Sequence, residues 1–189
     1  MLPRSIQVGT LSITRPLAGL VALVVITLLA AAPAMAGTGG TSEPPKAPVD
    51  PPGKAKLKPN GKAIAPANAP KRVKRAIDFA NRVRRKPYKW GGGHSDWEVD
   101  RGYDCSGAVS RALHGARALA SPLPSSALTR WGKKGKGKWI TVYAHGGHTF
   151  AMIAGLRWDT SGNERGSGPR WHADGRSKRG YKVRHIPGL

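Results

Sequence analysis

The strongest constraint on the fold is an order: helical periodicity comes first along the chain, and strand-like segments follow it. Val73, Ala76, Ile77, Ala80 and Val83 recur at helical spacing, with Lys74, Arg75, Asp78 and Arg82 between them. That spacing predicts an amphipathic helix ending before Pro87. A second stripe runs through Cys105, Ala108, Val109, Ala112, Leu113 and Ala116. It predicts a second helix with Asp104 as its N-cap. After a loop from Ser121 to Lys138 the pattern switches. Trp139–Tyr143, His148–Ala154, Leu156–Thr160 and Tyr181–Ile186 carry aromatic and β-branched residues bounded by glycines, and read as strands. Helices before strands, without alternation, predict an α+β fold in which N-terminal helices pack on a small antiparallel sheet.

The first 70 residues follow other rules. Arg4 and Arg15 precede an apolar run from Leu17 to Ala32, then Pro33 and Ala34-Met35-Ala36. This is the order of a signal peptide cleaved after residue 36. The run is shorter than the roughly 20 residues a membrane span needs, so no stable insertion is expected after cleavage. No cysteine at the cleavage point supports a lipid anchor, and no Arg-Arg pair supports twin-arginine export. Residues 37–70 are rich in Gly, Pro, Ala and Lys and lack aromatics. Such a stretch buries too little apolar surface to offset its ordering entropy, and reads as a disordered basic tether. The folded domain is expected over 71–189. The protein is thus expected outside the cytoplasmic membrane.

Composition excludes several classes. One cysteine among 189 residues rules out an internal disulfide framework and a cysteine-based zinc cluster. The net charge of +22, together with six tryptophans, fits a nucleic-acid binder. The spread of the charge, the lack of any nucleic-acid motif and the export signal argue against one. Basic charge suits an anionic cell-wall polymer equally well, or is only a solvated surface.

Cys105 opens a predicted helix, where unpaired N–H groups and the helix dipole favour a thiolate. His148 opens a predicted strand behind two glycines and offers a general base. The pair needs a third group to orient it. No Asp or Glu occurs between Asp104 and Asp159. A two-residue turn at Ala154-Gly155 would set Phe150 opposite Asp159, leaving His148 and Asp159 diagonal on one face. A loop one residue longer would present Thr160 instead. His145 and His148 also invite a metal reading. There is no H-E-x-x-H helix, and odd spacing within one strand would put them on opposite faces.

Tyr103-Asp104-Cys105-Ser106-Gly107 resembles the nucleophile motif of NlpC-type cell-wall peptidases. Pro87-Tyr88-Lys89-Trp90-Gly91-Gly92 resembles the aromatic-Gly-Gly stretch ahead of it, and Gly147-His148 with its apolar strand resembles the family's histidine strand. The resemblance covers roughly residues 71–189. It implies a papain-like α+β fold and a cysteine endopeptidase of peptidoglycan stem peptides, typically cutting between γ-D-glutamate and a diamino acid. It implies Cys105 as nucleophile, His148 as base and Asp159 in the third position, where the family often has histidine. It assigns Tyr88, Trp90, Gly91, Gly92 and Ser106 to the oxyanion and substrate contacts, and needs no metal or organic cofactor. The basic stretch Gly132–Lys138 lies outside the pattern. Two rivals keep the fold: a non-catalytic wall-binding module, and a related thiol amidase or transferase. His172, Arg176, Lys178 and Arg179 read as a solvated face, or as contacts to substrate carboxylates.

Overall fold

The computed structural model describes residues 51–162 and 168–189. The expected signal peptide and residues 37–50 of the expected tether lie outside the described residues. Among the described residues, no helix is long and apolar enough to cross a membrane.

Both predicted helices form. The first, α1, spans Lys71–Val83, starts on Pro70 and buries Val73, Ala76, Ile77, Ala80 and Val83. The second, α2, spans Cys105–Gly115 and lies against α1. A one-turn helix, α3 (Ser125–Leu128), falls in the expected loop and anchors Leu128 in the core.

The strands β3 (Lys133–Lys134), β4 (Ile140–His145), β5 (His148–Ile153), β6 (Leu156–Asp159), β7 (Arg170–His172) and β8 (Lys182–His185) form one six-stranded sheet. Its order is β3-β8-β4-β5-β6-β7, and every pairing is antiparallel. Val142, Ala151, Trp158 and Trp171 stand in one row across β4, β5, β6 and β7. The row faces the helices: the Trp158 indole N–H donates to the Ala108 carbonyl of α2 at 2.8 Å. The architecture is the α+β arrangement that the order of patterns predicts, with the cysteine helix docked on an antiparallel sheet.

The tether boundary needs correction. Residues 51–70, expected as disordered linker, carry a small antiparallel hairpin of β1 (Lys56–Leu57) and β2 (Ala63–Ile64). Its apolar side is made of alanines; Ala55, Ala63 and Ala69 are buried in the core. Backbone and side-chain hydrogen bonds supply what apolar area does not. Ala55 N donates to Ala154 O at 2.8 Å. The Asn81 side chain clasps both backbone groups of Ala63, at 3.0 and 2.8 Å, and accepts from the Trp171 indole at 3.0 Å. A buried side-chain amide with such partners contributes well beyond one ordinary hydrogen bond.

Candidate active site

The start of α2 is built by close backbone approach. A Cβ on Gly107 would meet the Gly92 carbonyl oxygen at 2.1 Å, so only glycine lets the Gly91–Gly93 loop lie on this helix. The Asp104 N–H in turn donates to that carbonyl at 3.1 Å. Asp104 caps the helix as expected, accepting from Gly107 N at 2.7 Å. Its other oxygen accepts from Gly91 N at 3.1 Å. Cys105 therefore occupies the first position of α2, at the positive end of the helix dipole.

The turn between β5 and β6 delivers the rest. Ala154 and Gly155 both have positive φ, 46° and 83°, the conformation of a tight two-residue hairpin turn. The register is Ile153↔Leu156, Met152↔Arg157 and Ala151↔Trp158. Carried one step further, it sets Phe150 against Asp159, as the spacing predicts. Asp159 rather than Thr160 then meets His148: His148 Nε2 donates to Asp159 Oδ1 at 2.9 Å. With Nε2 committed there, Nδ1 is left to hydrogen-bond Cys105.

The electrostatics follow from these contacts. Burial disfavours a charged His148 ring, but Asp159 and Cys105 outweigh it and raise the pKa to about 9. Burial also disfavours the Cys105 thiolate. Hydrogen bonds from His148, Ser125 and the Thr149 backbone outweigh that, and hold the thiol below its ordinary range. Burial opposes ionisation of Asp159 too, yet His148, Arg176 and Arg157 hold its carboxyl far below the usual carboxylate range. The shifts favour a thiolate facing an imidazolium.

A cavity of about 320 Å³ opens beside Cys105. Tyr88, Trp90, Gly91 and Ser106 line it, as the sequence predicts. Gly92 does not: it is buried against Gly102 and Gly107, and its role is to let the loop approach α2. Tyr88 is held beside the helix by Lys89 N to Tyr103 O (3.3 Å) and Tyr103 N to Pro87 O (3.1 Å). Burial, then the charges of Cys105 and Asp104, raise the Tyr88 pKa, so its hydroxyl stays a donor. Trp90 is fully presented to solvent at the rim, 86% exposed.

Several neighbours were not legible in sequence. His94 Nε2 lies 3.0 Å from both Asp104 Oδ1 and Ser106 Oγ. Ser125 Oγ lies 3.5 Å from the Cys105 sulfur. Arg176, read as part of a solvated face or a contact to substrate carboxylates, lies at the Asp159 carboxylate: its Nη1 donates to Asp159 Oδ2 at 2.8 Å and to Ser161 Oγ at 2.6 Å. Arg157 Nη1 donates to the same Asp159 oxygen at 2.7 Å. The absence of acidic residues between Asp104 and Asp159 made Asp159 visible; nothing in the sequence pairs it with two arginines. The metal geometry also needs correction. His145 and His148 lie on adjacent strands, directly opposite across the β4–β5 hairpin, with ring centroids 6.5 Å apart. Among the described residues no group of three metal-binding side chains forms.

No family model matches the sequence, and no curated protein matches it. Among solved structures the chain is similar to a mutated form of the Resuscitation Promoting Factor Interacting protein RipA. Identity is 18% over 72% of this chain and 70% of that one, with a TM-score of 0.47. It is also similar to a hypothetical invasion protein of Mycobacterium tuberculosis, at 19% identity over 72% of this chain and 70% of that one, with a TM-score of 0.45.

Proposed function

We propose that this chain is an exported cysteine endopeptidase that hydrolyses peptide bonds in peptidoglycan stem peptides, between γ-D-glutamate and a diamino acid. One observation carries the reading. A cysteine in the first turn of a helix meets a histidine whose far nitrogen is held at 2.9 Å by a buried carboxylate. That is the constellation of an activated thiol nucleophile.

In the proposed reaction the Cys105 thiolate attacks the scissile carbonyl carbon. The oxyanion meets the Cys105 backbone N–H, with the Tyr88 hydroxyl as second donor. The tetrahedral adduct collapses, the C–N bond breaks, and the imidazolium of His148 gives its proton to the leaving amine. The thioester that remains is attacked by water, which His148 deprotonates. The carboxylate product departs and the thiolate is restored. Asp159 holds the ring and stabilises its charged form throughout. No step needs a metal or an organic cofactor. The peptide occupies the cavity lined by Tyr88, Trp90 and Gly91. The reading supposes export by residues 1–36 and leaves residues 37–50 as a spacer, followed by exposed Lys54, Lys56, Lys58 and Lys62 that can meet anionic wall polymers.

The test is a digest of purified peptidoglycan fragments beside Cys105→Ala, with the products weighed by mass spectrometry. New stem-peptide fragments made only by the unmutated protein are the expected outcome, and their masses identify the bond. If neither protein cleaves while both sediment with the wall, the chain is a binding module. Release of intact stem peptide from the sugar would make it a thiol amidase.

A further inference from the structure

The orienting carboxylate is shared in an unusual way. Asp159 Oδ1 accepts from His148 Nε2 at 2.9 Å and from Ser161 N at 3.1 Å. Its Oδ2 takes two guanidinium groups: Arg157 at 2.7 Å from its own strand, and Arg176 at 2.8 Å from the segment after β7. The two arginines are differently placed. Arg157 is buried, its side chain 2% exposed, and is fixed by Asp174 at 3.2 Å and by the Ser161 carbonyl at 3.1 Å. Arg176 is 31% exposed and lies over the rings of Phe150 and Tyr181, at 5.3 and 5.9 Å. Its Nη1 also comes within 3.2 Å of His148 Nε2. When the ring is an imidazolium both nitrogens carry hydrogen, and a guanidinium then faces the charged ring across the carboxylate they share.

We propose that Arg176 is a positioning residue that sets the proton affinity of His148, by taking part of the Asp159 carboxylate and by setting a second cation beside the ring. A lone buried carboxylate on His148 would hold the imidazolium tightly and make it a poor acid toward a leaving amine. Two arginines on Oδ2 neutralise that carboxylate. Arg157 does so as a fixed part of the sheet, and Arg176 as an adjustable one. The charged and titratable groups facing the pair, among the described residues, are Cys105 from α2, Arg157 from β6, His172 from β7 opposite Arg157, His145 from β4 and Arg176 itself. Behind them lie Tyr181, packed on His145 at 4.5 Å, and Asp174 on Arg157. Of these, Arg176 alone joins partial exposure to direct contact with both His148 and Asp159.

The inference rests on the thiol-hydrolase reading only through the Cys105–His148–Asp159 assembly, so its test needs no peptidoglycan. The rate of Cys105 alkylation by iodoacetate, an anion that reacts best while the imidazolium is present, is followed on the full chain from about pH 5 to about pH 11. Removing the cation in Arg176→Gln or Arg176→Met is expected to move the alkaline fall of this rate upward by about 0.5–1 pH unit. Arg176→Lys, which restores the charge, is expected to return it. A structural role alone would lower thermal stability and leave the inflection in place. An inflection unmoved in both charge-removing variants overturns the proposal, and so does Arg176→Lys behaving like Arg176→Gln. Two charge-removing variants guard against one that fails to fold. Failure of stem-peptide cleavage would instead sink the peptidase reading and leave the alkylation result standing.

Discussion

At Cys105 and His148 the pH dependence follows from opposing charges. The thiol is held below its ordinary range and the imidazole is raised to about 9. Activity is therefore expected to rise once Cys105 ionises and to fall near pH 9, when His148 loses its proton; a kcat/KM profile on a stem-peptide substrate checks this. Stability carries the same signature. A histidine whose folded pKa lies above its ordinary 6.5 stabilises the fold fully below that value and loses the contribution as pH rises through about 9. Asp159 acts in the opposite sense. Its contribution is present above the ordinary carboxylate range and is lost in strong acid. Melting temperature followed from neutral to alkaline pH should decline across the His148 titration, and the decline should shrink in His148→Gln. Asp159→Asn should cost roughly 10²–10⁴-fold in kcat, because an amide can favour the wrong ring tautomer. It would also leave Arg157 buried with the exposed Asp174 as its one counter-ion among the described residues, a loss of about 3–5 kcal/mol measurable by denaturant titration.

Among the elements, Asn81 does more than its place on a helix implies. It joins α1 to the β1–β2 hairpin through Ala63 and to β7 through Trp171. Asn81→Ala would leave the Ala63 backbone and the Trp171 indole unpaired inside the core. A loss of about 2–4 kcal/mol is expected, read as a shift of the urea midpoint with an unchanged slope. Nothing in the sequence marks this residue, because an asparagine at a helical position looks like surface. The same holds for β3, β7 and α3, which are too short to carry a period. The long elements were legible because their apolar residues repeat: five buried positions of α1 and the stripe of α2 fall where the sequence places them. Cys105 and His148 were legible for the same reason, each marking the first residue of an element with a clear pattern. Arg176 was hidden because its partner lies 17 positions away and joins it only once the chain has passed through β7.

On the scale of the whole molecule, the error in reading residues 51–70 as tether comes from weighing composition without partners. Alanine-, lysine- and proline-rich sequence buries little by itself, yet Ala55, Ala63 and Ala69 fill space that α1 and the sheet leave open. A chain beginning at Lys71 should accordingly melt lower than one beginning at Pro51, by several degrees, in a scanning-calorimetry comparison. The β5–β6 turn also acts across the molecule. Gly155 is exposed and looks like any loop tip, the usual place where a protein tolerates an extra residue. Here an extra residue would slide β6 by one step and exchange its inward and outward side chains, because strand side chains alternate. Asp159 would leave His148 and Trp158 would take its place in the register, with Cys105, His148 and Asp159 all still present in the gene. An insertion scan reading function should therefore find a dead position at a surface loop. Searches that score the site by residue identity alone would pass over it, because the information lost is a count rather than a letter.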